Sequence, residues 1–180
     1  MRITEVTIII GVLWLIEIFN ESTGQQLSSW GIYPRSVDGL AGILVWPYLH
    51  ASASHLMTNT IPVAVLSWFV LLRGFKEFVF VTLGISIIAG VAIWVFARPA
   101  IHVGASGLIF GYFGFLVAIG WYESSLKSFL FAIVTIFLYG GIVWGILPQS
   151  SHVSWEAHLF GLLAGIYIAR YKHRPKERVD

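Results

Sequence analysis

Gly104-Ala-Ser-Gly-Leu-Ile-Phe-Gly-Tyr-Phe-Gly114 opens an apolar stretch that carries no charged residue until Glu123. Read as a helix over 104–121, it is short, since crossing the hydrocarbon of a bilayer takes about 20 apolar residues. It also starts directly in a glycine turn. Such a helix begins below the membrane surface, where irregular backbone survives only if protein shields it or a cavity faces it. Gly107, Gly111 and Gly114 fall on one face at i, i+4 and i+7, a stripe along which a partner helix can approach closely. Ser106 shares a different face with Phe110 and Phe113. With Gly104 and Gly107 lacking side chains on either side, its hydroxyl stays accessible.

The rest of the chain has the same character. Of 180 residues, 57% are hydrophobic and 11% charged, against about 25% charged in a soluble domain. The expected fold is all-α, a polytopic bundle of six transmembrane helices forming one domain over 1–180. The spans fall at roughly 6–20, 54–72, 78–97, 104–121, 127–147 and 155–171. The first lacks a small-residue cleavage site and reads as a retained helix. Between 21 and 53 runs the only long connection, whose Val37–Leu49 portion is too apolar for a wet loop. Trp30, Tyr33, Trp46 and Tyr48 suit the interfacial zone, and Pro47 argues against one continuous helix. A partly embedded first loop with one or two short helices follows.

Orientation comes from the basic residues. An even number of spans puts Arg2, Arg73, Lys76, Lys127, Arg170, Lys172, Arg174, Lys176 and Arg178 on one side, and Arg35 and Arg98 on the other. Nine against two places both termini in the cytoplasm, in a multi-pass protein of the cell (plasma or inner) membrane. The net charge of +2 belongs to this topology and not to a nucleic-acid face.

The second, fourth and sixth spans then all enter from the outside. They bring His55 and Asn59, Ser106, and His158 to a similar depth. His158 stands in His158-Leu-Phe-Gly161-Leu-Leu-Ala-Gly165, so Gly161 and Gly165 make a second small-residue surface. Packed on the glycine stripe of the fourth span, it brings Ser106 and His158 within hydrogen-bond reach. His55 and Asn59, one turn apart, present an imidazole N–H and an amide N–H to an oxygen that becomes negative during reaction. Glu156, two residues from His158, does not share its face; an acid there suits the helix N-terminus. Glu17 is expected to snorkel or to bond to the loop beyond it.

Several chemistries drop out. There is no cysteine, so thiolate catalysis, cysteine metal ligation and disulfides are excluded. His50, His55, His102 and His158 are irregularly spaced and have no carboxylate pair beside them, an unsuitable set for zinc. His50 and His102 are expected to tie down loops or meet water.

The combination of His50, His55-x-x-x-Asn59, Gly104-Ala-Ser-Gly107 and Ala157-His158-x-x-Gly161-x-x-x-Gly165 resembles the rhomboid family of intramembrane serine proteases, over about residues 37–168. The resemblance implies Ser106 as nucleophile and His158 as general base, without an acidic third member. It implies His55 and Asn59 as oxyanion donors and His50 as a structural loop histidine. Two positions depart from the family. Ala41 and Gly42 stand where a Trp-Arg pair is common, so the first loop is anchored differently. Phe110 replaces the usual tyrosine, keeping a ring to stack on His158 without a hydroxyl.

The reaction expected is hydrolysis of peptide bonds in or near transmembrane segments of single-span or polytopic membrane proteins. It takes place within the lipid bilayer, with no metal or organic cofactor and no nucleic-acid partner. The competing readings are a catalytically inactive relative that binds transmembrane helices in quality control, and a hydrolase of lipid esters. The sequence leaves the oligomeric state open.

Overall fold

A computed structural model describes residues 2–148 and 153–173; the basic residues Arg174, Lys176 and Arg178 counted above lie outside them. The architecture is all-helical: α1 (Ile3–Ser22), α2 (Gly42–Val45), α3 (Ala53–Leu71), α4 (Phe75–Phe96), α5 (Ser106–Tyr122), α6 (Leu126–Tyr139) and α7 (Trp155–Lys172). Among the described residues extended pairing is confined to one antiparallel bridge, Ile32 with His102. Four helical segments are long and apolar enough to cross a membrane: α1, α3, α4, and α6 together with its continuation to Ile146. α5 is a shorter apolar helix of 17 residues. α7 has 18, with Glu156 in its first turn and Arg170 and Lys172 in its last.

The short helix is the centre of the bundle. Of its 17 residues 12 are buried, whereas the 20-residue α1 and the 14-residue α6 each bury three and turn most of their apolar surface outward. That inversion is how a membrane protein differs from a soluble one: lipid accepts apolar side chains, so burial follows contact between helices. α5 packs most extensively against α7, through backbone. A Cβ at Gly161 would collide with the Gly107 carbonyl, and one at Gly165 with the Gly111 carbonyl. Gly107 and Gly111 present these carbonyls to α7. The space left by their own missing side chains takes the Trp46 ring and Ile85.

Two segments differ from the sequence expectation in detail. The apolar run 127–147 is not one helix, since α6 ends at Tyr139 and continues as a 3-10 helix from Gly140 to Ile146. The pair Gly140-Gly141 starts that change, as low helix propensity predicts. The first loop holds 3-10 turns at Gln26–Trp30 and Trp46–Tyr48 as well as α2, Pro47 lying within the 3-10 turn that follows α2 directly. Glu17 takes the second course expected of it, bonding to Gln25 of the loop beyond α1 instead of snorkelling. It is 1% exposed and accepts from Asn20 Nδ2 at 3.3 Å, while the same amide nitrogen lies 3.0 Å from Ser28 Oγ and 3.2 Å from the His50 carbonyl.

Polar links join the helices at both ends. The first loop is anchored by Arg35, whose guanidinium donates to the carbonyls of Val95 (3.1 Å) and Ala97 (2.8 Å) and whose N–H donates to Trp94 O (2.9 Å). Trp94 Nε1 returns a bond to Ser36 O at 2.8 Å. At the opposite end Arg73 pairs with Glu77 and Glu123, each at 2.6 Å, and Lys172 reaches Glu77 at 2.6 Å. Burial there works against charge, yet hydrogen bonds from Arg73 and Ser128 hold the Glu123 carboxyl down at about 2.

Candidate active site

Each polar group of interest sits on the first turns of a helix, and each first turn is shaped by a specific residue. Ser52, in extended conformation, caps α3 by accepting the His55 N–H at 3.2 Å; such a cap satisfies one of the orphan donors at a helix start. His55 is thereby set on the third helical position, with Asn59 one turn further. Ser154 caps α7 by accepting the Ala157 N–H at 3.4 Å, and His158 follows.

Ser106 is the first residue of α5. The turn before it requires glycine, since Gly104 has φ +123°, a conformation that a side chain strains. A Cβ there would lie 2.7 Å from His55 Cε1 and 3.7 Å from Ser106 Oγ. The bare Gly104 Cα thus sits between imidazole and hydroxyl. The same turn is held from the loop side: Gly104 N–H donates to Trp46 O at 3.0 Å, and Ala105 N–H donates to His50 Nε2 at 3.2 Å. His50 is fully buried. Burial, followed by the neighbouring His55 ring, pushes its pKa down to about 3, so it stays neutral and its acceptor nitrogen stays available.

Across α5 and α7, His158 Nε2 lies 2.9 Å from Ser106 Oγ. Its other nitrogen, Nδ1, is 2.9 Å from the Gly145 carbonyl oxygen. A carbonyl only accepts, so Nδ1 carries the proton and Nε2 is left as the acceptor of the serine O–H. Phe110 stacks flat on the imidazole, with centroids 4.3 Å apart and planes at 5°. Ser106 therefore has its aromatic neighbour through His158.

A cavity of about 500 Å³ opens beside this pair, lined among others by His55, Asn59, Arg98, His102, Ser106 and His158. Asn59 is 6% exposed, and its Nδ2 has no hydrogen-bond partner among the described residues. A buried donor without an acceptor is costly, and here it lines the same cavity as Ser106. The first amides of α5 likewise lack acceptors within their own helix. The arrangement can deprotonate the serine, attack a carbonyl and meet the resulting negative oxygen with N–H groups.

The other histidines go elsewhere. His102 Nδ1 is 2.6 Å from Ser154 Oγ and its Nε2 is 3.1 Å from Arg98 O, so it ties the loop before Ser106 to the start of α7. Among the described residues no three metal-ligating side chains converge. Glu156 pairs with Arg98 at 3.4 Å. Sequence reasoning missed Gly145, Arg35 and Ser154. Gly145 acts through a backbone carbonyl, which no residue type announces, and Arg35 entered only as a charge to be counted. Ser154 did carry a signal, a serine three residues before Ala157 at a helix start.

The rhomboid domain family model matches residues 38–175. An uncharacterized protein of Mycobacterium tuberculosis is 36% identical over 184 residues, covering 97% of this chain and 77% of its own length. A Mycobacterium leprae protein, also named as uncharacterized, is 34% identical over 176 residues, with 93% and 70% covered. A Bacillus subtilis protein named "Putative rhomboid protease YdcA" is 30% identical over 135 residues, with 72% of this chain and 66% of that protein covered.

Proposed function

Because this chain belongs to the rhomboid family, we propose that it is an intramembrane serine endopeptidase that hydrolyses peptide bonds in or near transmembrane segments of other membrane proteins. The observation that carries the reading is the pair of 2.9 Å contacts at His158, one to Ser106 Oγ and one to Gly145 O. They leave the imidazole in the tautomer that a general base needs.

Ser106 Oγ attacks the scissile carbonyl while His158 Nε2 takes its proton. The oxyanion accepts from the Ser106 N–H and from His55 and Asn59. Collapse breaks the C–N bond, and His158 returns the proton to the leaving amine. Water then attacks the acyl-enzyme, giving its proton to His158, and Ser106 is regenerated. The glycine-lined contact of α5 with α7 keeps the two groups in register throughout.

The placement in the membrane belongs to the same proposal. Counting α5 and α7 with the four longer segments gives six spans in one domain, both termini in the cytoplasm and the cavity opening outward. α5, at 17 residues about 25 Å long, falls short of the roughly 30 Å hydrocarbon. Its start at Ser106 then lies below the surface, reached by water through the cavity.

The test is purified protein in lipid vesicles with a panel of single-span membrane proteins, fragments being read by mass for wild type beside Ser106→Ala and His158→Ala. Wild type yields defined fragments and neither variant does, while all three melt alike. The double variant is no slower than either single one, because the pair acts as a unit. Cleavage that survives Ser106→Ala removes the nucleophile assignment. Binding of helices without cleavage, together with no labelling by a fluorophosphonate, would mark an inactive relative.

A further inference from the structure

Glu156 is buried, 4% exposed, and is used by no step of the reaction above. Its Oε1 lies 3.4 Å from Arg98 Nε and 3.5 Å from the Arg98 backbone N, 58 residues away in sequence. Its Oε2 has no hydrogen-bond partner among the described residues. An acid in the first turn of α7 is favoured by the helix dipole, but that calls for neither burial nor a long-range partner.

The partner is what matters. Arg98 Nη2 donates to Val153 O at 2.6 Å, so the guanidinium spans the approach to α7. The Arg98 carbonyl accepts from His102 Nε2 at 3.1 Å, which leaves His102 Nδ1 to accept from the Ser154 hydroxyl at 2.6 Å. Ser154 Oγ in turn accepts the Ala157 N–H. Donors and acceptors alternate without conflict along this path. Residues 98 and 102 lie just before Ser106, and residues 153, 154 and 156 just before His158. The two loops that deliver the reacting groups are thus bolted to each other twice, independently of the contact between α5 and α7.

We propose that Glu156, through Arg98 and the His102–Ser154 pair, is a positioning residue that sets the approach of Ser106 to His158, an inference resting on the protease reading above. It touches neither substrate nor the reacting atoms. Its contribution is reach: the carboxylate grips Arg98 from the first turn of α7 and fixes the depth at which α5 begins.

Two conservative variants separate reach from charge. Glu156→Gln keeps the length and an oxygen that accepts from Arg98 but loses the charge; Glu156→Asp keeps the charge but is one methylene too short. The readouts are kcat and KM on a membrane substrate that wild type cleaves, the rate at which a fluorophosphonate labels Ser106, and the melting temperature. A 1 Å misplacement of reacting groups costs about 100-fold in rate, so Glu156→Asp is expected to lose roughly 10- to 100-fold in kcat and in labelling rate, with KM nearly unchanged. Glu156→Gln is expected to stay within about threefold of wild type by the same argument. The inference is overturned if Asp retains the wild-type rate, as a plain helix-start acid would. It is overturned equally if Gln is the slower of the two, since the charge and not the reach would then be at work. Wild type without turnover dependent on Ser106 removes the protease reading itself, a different result from a fully active Asp variant.

Discussion

His158 is aimed by Gly145. The imidazole Nδ1 sits 2.9 Å from that residue's carbonyl oxygen, and the carbonyl belongs to the 3-10 turn following α6. A Cβ at Gly145 would come within 2.8 Å of Phe110 Cζ and 3.2 Å of His158 Nδ1, crowding both rings at once. Gly145→Ala is therefore expected to lower kcat by roughly 10- to 100-fold while the bundle still folds, because the turn is otherwise open and the strain local. Turnover and circular dichroism melting on one preparation check it, and an unchanged kcat would show that the turn absorbs the Cβ without displacing the His158 ring.

Asn59 gives a second expectation. Its buried Nδ2 has no acceptor among the described residues, and on the proposed mechanism the substrate oxygen that becomes negative would receive that hydrogen bond. An interaction made only in the transition state affects rate and not ground-state affinity. Asn59→Ala should lower kcat by about 100- to 1000-fold, as the loss of one oxyanion donor does, with little change in KM. Removing an unpaired donor should also leave the melting temperature unchanged or slightly raised. A large drop in melting temperature with normal kcat per active site would instead mark Asn59 as a structural link between helices.

Acidification should loosen the loop at His50. Burial, then the nearby His55, lowers its pKa to about 3 in the folded protein, whereas an unfolded histidine titrates near 6.5. Between those values the unfolded chain binds more protons, so stability is fully present above about pH 6.5 and falls as pH drops towards 3. The limiting slope for one such group is about 1.4 kcal/mol per pH unit. Melting curves in detergent between pH 7.5 and 4.5 (~3 units of pH, within the window set by linkage) measure it. His50→Gln should show a shallower dependence; an identical slope would assign the acid sensitivity to other groups.

Topology can be read chemically, because the chain has no cysteine. Cysteine placed at Ser29, exposed beyond α1, should react with an impermeant thiol reagent added outside intact cells. Cysteine at Lys76 or Lys127, exposed at the other end of the bundle, should react only after lysis. The reverse pattern would invert the orientation and the direction in which the cavity opens.

Much of this was legible from spacing. The glycines of Gly104–Gly114 and of Gly161 and Gly165 announce a backbone-to-backbone contact, and that contact places Ser106 beside His158. Apart from α6, which stops at Tyr139 against an expected 147, helix ends fell within about three residues of expectation, as hydropathy and capping permit. The break after Tyr139 was masked because Gly140–Ile146 is as apolar as the helix before it, so the weak helix propensity of Gly140-Gly141 was its one signal. Hydropathy records the membrane, not the helix type. The partnership of Glu156 with Arg98 was equally hidden, since a local rule explains an acid at a helix start and leaves no residue asking for a distant cation. Gly145 marks the general limit: side chains are written in sequence, and a carbonyl's direction is not.

The carbonyl contacts of Gly161 and Gly165 impose a division of labour on the molecule. Helices that touch through their main chains have no side chain able to swing aside, so α5 and α7 behave as a single strut with a reacting group fastened to each half. If the protein cleaves other proteins' helices as proposed, the part that gives way to admit them would be built from elsewhere, the sparsely buried α6 or the first loop. Of these, α6 leads into the turn that aims the base. On the protease reading proposed above, any displacement of α6 to admit a substrate helix would also disturb the turn that aims His158, so admission and reaction would have to follow one another.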